Sequence, residues 1–236
     1  MGKAGYGQYC PIAVTAEVIA QRWTPLVIRA LLMGATRFND IHDSVPRMSS
    51  ALLTQRLREL EAAGIIERFV ADTRQSKRYR LTKAGNELFP VLEGMGMWSQ
   101  RWLRHEITRD ENLDPVILFW DMRRSIIAAD YRTGRRRVAK FHIDGVPVVK
   151  RFYWIVLEPE DVDVCVIDPG HEVDVWLRAH VRTLVEVWLG HRTLGAAIAD
   201  RSLRLDGSPS EIDAFRKWFC LSHFADARLG AGPQHV

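Results

Sequence analysis

The sequence has few of the residues and motifs that enzymes, metal proteins and membrane proteins depend on. Its three cysteines, Cys10, Cys165 and Cys220, are odd in number and far apart, which argues against a disulfide framework or a zinc site. It contains no glycine-rich phosphate loop, HExxH metal motif or GxSxG nucleophile elbow. No run approaches the roughly 20 apolar residues that span a bilayer, and the first residues do not form a signal peptide. We therefore expect a cytoplasmic protein that is not an enzyme and has no metal, cofactor or membrane partner.

Positive charge is concentrated in the first part of the chain. Residues 1–104 contain 15 Lys and Arg against 9 Asp and Glu, whereas residues 105–236 contain 18 against 20. A chain of 236 residues is long enough for two small domains. The asymmetry indicates that only the first domain meets a polyanion.

A helix predicted over residues 49–63 carries two different faces. Leu53, Leu57 and Leu60 recur at helical spacing and form an apolar side. The opposite side is small and polar, and comprises Ala51, Thr54, Gln55 and Arg58. Such a face can enter a major groove, because nothing bulky blocks its approach and its donors meet base edges or phosphates.

A hairpin is predicted directly after this helix, over residues 65–81. Its two β-patterned runs, 65–70 and 77–81, flank a polar turn at residues 71–76. The cations of the hairpin, Arg74, Lys77, Arg78 and Arg80, suit phosphates or a minor groove. Three helical patterns precede the 49–63 helix, and a long helix over about 82–103 follows the hairpin. This order of elements predicts a mainly α winged helix–turn–helix domain, residues 1–104. Either Ser49 or Ser50 can cap the helix, and we take Ser50 as the cap that also approaches a phosphate. The predicted DNA contacts are Ser50, Thr54, Gln55, Arg58, Arg74, Lys77 and Arg78.

The long helix at residues 82–103 has a surplus of apolar side chains. Leu88, Met95, Trp98 and Trp102 lie along one side of it. The helix is longer than a compact winged domain needs, so the stripe favours contact with a partner chain.

Several short motifs are spread over this region. They are the Cys-Pro-Ile at residues 10–12, Arg-Trp-Thr at 22–24, Phe-Asn-Asp-Ile at 38–41, the segment 53–66 and the segment 79–85. In this order they resemble the motifs of HxlR-type regulators, which are relatives of the MarR group. The resemblance implies a homodimer formed through the first and last helices, which binds a pseudo-palindromic DNA operator. Family members often have prolines at the wing tip, and residues 72–76 have none. Cys10 lies where some members carry a sensing thiol, and it is either such a sensor or a plain structural cysteine.

The second part of the chain predicts an α+β domain over residues 112–225. A helix begins after Asp114, four β-patterned runs follow between residues 136 and 177, and further helices and a short strand complete the domain. Turns such as Asp144-Gly145 suggest hairpins, so we expect an antiparallel sheet with helices on one face.

The segments 184–190, 203–207 and 215–219 resemble the sterol-carrier-protein-like fold. That resemblance implies a hydrophobic tunnel between sheet and helices. Its candidate lining residues are Phe119, Trp120, Phe152, Trp154, Trp176 and Trp188. Such aromatics line a pocket or equally fill a solid core.

These patterns predict a dimeric DNA-binding repressor whose operator affinity is modulated by an apolar small molecule in the second domain. One alternative is a carrier of lipids or other hydrophobic ligands, in which the winged helix only mediates dimerisation. Another is a thiol-sensing regulator that responds through Cys10.

Overall fold

The structure is a computed structural model, and it describes residues 5–70, 77–131 and 133–225. The chain divides into two compact units, Met1–Met95 and Gly96–Val236. The division falls within one helix, Phe89–Trp102. Each unit has its own apolar core.

The first unit has the element order of a winged helix–turn–helix. Its elements are α1 (Pro11–Ile19), α2 (Thr24–Leu32), α3 (Phe38–Asp43), α4 (Ser50–Ala62), β1 (Ile66–Val70), β2 (Lys77–Leu81), α5 (Lys83–Asn86) and the start of α6 (Phe89–Trp102). This confirms the winged helix–turn–helix fold predicted for the N-terminal part. The wing tip predicted at residues 71–76 lies outside the described residues.

Helix α4 is held by its leucine side. Leu53, Leu57 and Leu60 are at most 2% exposed and pack with residues of α2 and α3 such as Ile28 and Ile41. The helix ends before Gly64, whose φ of +69° is a left-handed conformation that favours glycine. Burial of the leucines therefore fixes which side of α4 faces outward.

The wing strands pair in antiparallel register from Ile66 opposite Leu81 to Val70 opposite Lys77. Thr82 joins the wing to α5, because its hydroxyl donates to the Gly64 carbonyl at 2.7 Å and accepts from the Gly85 amide at 3.1 Å. The base of the wing is thus bonded to the end of α4.

The second unit is a sheet with helices. Its elements after α6 are α7 (Arg104–Ile107), α8 (Pro115–Ala128), β3 (Arg137–Asp144), β4 (Phe152–Leu157), β5 (Val162–Cys165), β6 (Val175–His180), α9 (Val181–Trp188), α10 (Leu194–Ala199), β7 (Leu203–Gly207) and α11 (Pro209–Trp218). Short 3-10 helices occur at Asp110–Asn112 and Val148–Lys150.

The five strands form a mixed sheet in the order β5-β4-β3-β6-β7. Strands β3 and β6 are parallel, with Phe141 opposite Leu177, and the other neighbouring pairs are antiparallel. The prediction of an antiparallel sheet was therefore wrong for the central pair. Local turns indicate hairpins between consecutive strands, but β3 and β6 are separated by β4 and β5, and their direction depends on a crossover through residues 166–174.

One face of this sheet carries the core of the second unit, as the sequence predicts for helices on one face. Phe119 of α8 stacks on Tyr153 of β4 with ring centroids 4.1 Å apart, and meets Phe141 of β3 edge-on at 4.9 Å. Burial, together with the negative charge of Asp114, raises the pKa of Tyr153 to about 12. Helices α9 and α11 contribute further apolar side chains, among them Leu184, Val187, Trp188, Phe215 and Trp218.

A polar pair lies within the second unit where α6 ends. Gln100 is only 5% exposed, and its Oε1 accepts a hydrogen bond from His191 Nε2 at 2.6 Å. Burial, together with the positive charge of Arg104, lowers the pKa of His191 to about 4. His191 is therefore neutral at pH 7 in the folded protein.

The lowered pKa of His191 predicts a loss of stability on acidification. An unfolded histidine takes up a proton near pH 6.5, whereas the folded one does so near pH 4, so protons favour the unfolded second unit between these values. We expect the free energy of unfolding to fall by about 1 kcal/mol from pH 7 to pH 5, allowing for the part-exposed imidazole. Urea denaturation followed by tryptophan fluorescence measures it.

The matched variant is His191→Gln, which keeps an amide donor for Gln100 but does not titrate. Its stability should change less between pH 7 and pH 5 than that of the wild type. An identical pH dependence in the two proteins would contradict the assignment to His191.

Candidate nucleic-acid interface

The outward side of α4 presents the residues that the sequence predicts. Ala51, Gln55 and Arg58 are exposed, and Thr54 is partly buried. Thr54 Oγ1 donates to the Ser50 carbonyl at 2.8 Å, and Gln55 Nε2 donates to Glu59 Oε1 at 3.0 Å. The Gln55 side-chain carbonyl and the Thr54 lone pairs remain able to accept hydrogen bonds.

Arg58 and Arg56 occupy the same helix but differ in their surroundings. Arg56 has a side chain only 13% exposed, ion-pairs with Glu59 and donates to Gln21 Oε1 at 2.6 Å. Arg58 is exposed, and within residues 5–70, 77–131 and 133–225 it forms no ion pair or hydrogen bond. Arg56 therefore holds α4 to the α1–α2 turn, whereas the Arg58 guanidinium is available to an outside acceptor.

The cap of α4 is Ser49 rather than Ser50. Ser49 Oγ accepts from the Leu52 amide at 3.3 Å, and Ser50 is the first residue of the helix itself. The prediction that Ser50 caps the helix was wrong, because two adjacent serines give the sequence no means to tell which one has extended backbone. The exposed Ser50 hydroxyl, at the positive end of the helix dipole, remains a candidate phosphate contact.

The wing cations are not equivalent. Lys77 is exposed and has no partner among the described residues, whereas Arg78 is partly buried and its backbone forms an isolated bridge to Arg37. Arg80 ion-pairs with Glu67 at 2.6 Å and lies 5.1 Å from the Phe69 ring. Arg74 lies outside the described residues.

One exposed cation was missed by sequence reasoning. Arg47 lies in the turn between α3 and α4, two residues before the Ser49 cap. A search for helical periodicity does not reach it, because it belongs to no helix. Its position just before the start of α4 is the feature of the sequence that could have identified it.

Exposed apolar side chains occur on the first helix and on α6. Ile12 and Val14 of α1 are 79% and 52% exposed. On α6, residues with 43–55% exposure are Phe89, Val91, Met95, Trp98 and Trp102. These are the helices for which the sequence resemblance implies a dimer contact.

Cys10 precedes α1 as its N-cap residue and is partly exposed. Cys10, Cys165 and Cys220 are all free cysteines. Burial raises the pKa of the Cys165 and Cys220 thiols.

The six aromatic residues predicted to line a ligand tunnel are not brought together. Phe119 and Trp188 belong to the core between helices and sheet. Trp120 of α8 lies 5.7 Å from the Arg123 guanidinium. Phe152, Trp154 and Trp176 lie on the opposite face of the sheet. Each is paired with a residue of β3 that points outward, because outward residues alternate along that strand with core residues. Ligand binding by these residues stays a prediction.

Known HTH-type transcriptional regulators match about two fifths of this chain. The family model for HxlR-like helix-turn-helix proteins matches residues 18–107. The regulator YvaP of Bacillus subtilis is 32% identical over 98 residues, which are 41% of this chain and 91% of YvaP. The regulator YodB of Bacillus subtilis is 35% identical over 95 residues, which are 39% of this chain and 85% of YodB. Both are named HTH-type transcriptional regulators.

Two solved structures are similar over a comparable share of the chain. The reduced form of the redox regulator HypR has 33% identity, covers 39% of this chain and 91% of its own, and has a TM-score of 0.37. The putative transcription factor PA1607 has 32% identity, covers 40% of this chain and 66% of its own, and has a TM-score of 0.38.

The fold and the outward face of α4 define a helix–turn–helix protein. The chain belongs to the HxlR-like helix-turn-helix family, which is a family of transcriptional regulators and not of enzymes. The matches described above cover about two fifths of the chain, and the family match ends at residue 107, before the sheet of the second unit begins. Within the described residues, no helix is long and apolar enough to cross a membrane, and no group of His, Cys, Asp and Glu could hold a metal ion.

The capping assignment predicts unequal effects of two neighbouring substitutions. Ser49→Ala removes the acceptor of the Leu52 amide, so we expect it to cost about 1 kcal/mol of the stability of the first unit. Ser50→Ala, the matched control, removes an exposed hydroxyl and should leave stability within about 0.5 kcal/mol of the wild type. Thermal melting of both variants measures the difference. Equal losses would contradict the assignment.

Proposed function

We propose that this protein is a homodimeric transcriptional repressor that binds operator DNA through α4 and the wing. The observation that carries the proposal is the outward face of α4 in a helix–turn–helix family domain. Arg58 lies there, opposite the buried leucines and without a partner in the described part of the chain. An exposed guanidinium on a recognition helix is a donor for guanine edges or phosphates. The basic balance of residues 1–104 supports a polyanionic partner.

The proposed contacts divide by role. Thr54, Gln55 and Arg58 meet base edges or orient the helix in the major groove. Ser50 and Lys77 contact phosphates, and the partly buried Arg78 supports the wing beside them. Arg74 is proposed from the sequence alone.

The proposed dimer buries the exposed apolar side chains of α1 and α6 against a second copy. Two α4 helices related by a two-fold axis would then read half-sites about one helical turn apart. An operator with an inverted repeat follows from that symmetry.

The second unit, a mixed sheet with helices, is the proposed effector domain. An apolar or amphipathic small molecule changes operator affinity only if it binds the DNA-competent and DNA-incompetent dimers with different affinities. The core face is filled by Phe119 and Tyr153, so a ligand between helices and sheet must displace these rings.

A thiol-sensing function is the second candidate. Cys10 is free, partly exposed and immediately precedes α1, one of the two proposed dimer helices. Oxidation there would alter the dimer contact directly. Cys10→Ser would abolish an oxidant response of DNA binding and leave any response to a small molecule intact.

The first experiment is selection of random duplex DNA by the purified full-length protein. Recovery of an inverted repeat with half-sites about one helical turn apart would support the repressor. If selection enriches nothing while the protein transfers lipid between vesicles, the carrier alternative replaces it.

Arg58→Ala tests the recognition face once an operator sequence is known. We expect operator affinity to fall by roughly 1–3 kcal/mol with no change in melting temperature, because Arg58 has no partner in the described protein to lose. Fluorescence anisotropy at several salt concentrations measures the affinity. An equal loss on random DNA would place Arg58 on phosphate instead of a base.

Arg56→Ala is the matched control two positions away. It removes the contacts to Gln21 and Glu59, so it should lower the melting temperature of the first unit. Unchanged operator affinity in Arg58→Ala would contradict the proposed recognition face.

A further inference from the structure

The sheet of the second unit has an outer face, the one turned away from the helices. Pairing across the strands places Lys140 of β3 between Trp154 of β4 and Trp176 of β6, with Phe152 one pair further along β4. Phe152 and Trp176 are 40% and 48% exposed. Adjacent strands lie about 4.8 Å apart, so the backbones of the two tryptophans are separated by about 10 Å across β3.

Lys140 is surrounded by these rings. Its Nζ lies 4.6 Å from the Trp176 ring centroid, 4.9 Å from that of Trp154 and 5.4 Å from that of Phe152. All three distances are within the range of a cation–π interaction. The rings hold the ammonium group on the outer face but do not neutralise its charge.

No anion of the described chain pairs with Lys140. Its ammonium forms no hydrogen bond or ion pair with residues 5–70, 77–131 or 133–225. Asp144, four residues further along β3, pairs with Arg178, which donates to both of its carboxylate oxygens at 2.8 and 3.2 Å. These bonds hold the pKa of Asp144 below its usual value. Lys140 is thus a partly buried cation without a counter-ion.

A second donor on the same face also lacks an acceptor. Trp154 is only 5% exposed, and its buried Nε1 has no hydrogen-bond partner in the described structure. Buried N–H groups in folded proteins are nearly always paired. The Lys140 ammonium and the Trp154 indole N–H are therefore neighbouring donors, and the described part of the chain supplies an acceptor to neither.

We propose that the outer face binds a planar aromatic carboxylate. Its ring lies against Trp176 and Phe152, and its carboxylate accepts from the Lys140 ammonium. A cationic ligand would be repelled by Lys140, and a neutral apolar one would leave the ammonium unpaired. A nucleic-acid strand is disfavoured, because residues 105–236 carry more acidic than basic side chains.

The site differs from the tunnel predicted between sheet and helices, because the Phe119 and Trp188 rings lie on the other side of the strands. The use of this face as an effector site rests on the proposed regulator function. Binding of an aromatic carboxylate to it does not depend on that function. Binding is therefore measured without DNA.

The test is calorimetric titration of the full-length protein with 2-naphthoate and with its neutral analogue, naphthalene-2-carboxamide. We expect 2-naphthoate to bind the tighter of the two. Lys140→Met keeps much of the side-chain bulk but removes the charge, so it should weaken 2-naphthoate about tenfold or more and leave the carboxamide unchanged. Trp176→Ala should weaken both probes, because it removes the stacking surface.

Lys217→Met, on the exposed side of α11, is the matched control and should bind 2-naphthoate as the wild type does. Equal binding of 2-naphthoate to wild type and Lys140→Met would overturn the proposal. So would an unaffected Trp176→Ala, or a dimer dissociation constant raised by Trp176→Ala, which would make the face a contact between copies. Failure to select operator DNA leaves these binding results standing, so the two proposals fail separately.

Discussion

Leu53, Leu57 and Leu60 pack into the core of the first unit, and this packing fixes the rotation of α4 about its axis. A helix with one buried stripe has its opposite side in solvent, so Gln55 and Arg58 are exposed by the same contacts that stabilise the domain. Arg56 strengthens the orientation through Gln21. The recognition face is thus a consequence of how the core is filled.

In the second unit, burial also determines which side chains are exposed, but side chains alternate every two residues along a strand instead of every 3.6 residues around a helix. Residues of β3 alternate, so that Phe141 enters the core and Lys140 faces outward. Neighbouring strands in register continue the alternation, and Trp154 and Trp176 therefore flank Lys140. In both units, burial of one side of a helix or strand determines which side chains face solvent. The exposed sides carry the hydrogen-bond donors, Arg58 on α4 and Lys140 on β3.

Much of the first unit could be predicted because its signals are local. The leucine spacing identifies α4, the β-patterned runs identify the wing strands, and the order of elements identifies the winged helix–turn–helix. The cap was assigned one residue too late, because Ser49 and Ser50 are chemically alike and only the backbone conformation separates them. In the second unit the strands were found, but the parallel pairing of β3 with β6 was not, because it joins strands distant in sequence.

The sequence by itself determined the family, the helix that carries Arg58 and the basic balance of the first part of the chain, since each depends on short-range spacing or on composition. The tertiary structure alone decided which cations are already paired: Arg56 and Arg80 are, whereas Arg58 has no partner among the described residues. It also separated the aromatic residues into a filled core around Phe119 and an outer face around Lys140. The physical reason is that pairing and burial arise from contacts between residues far apart in the chain, and strand register and core packing bring these together.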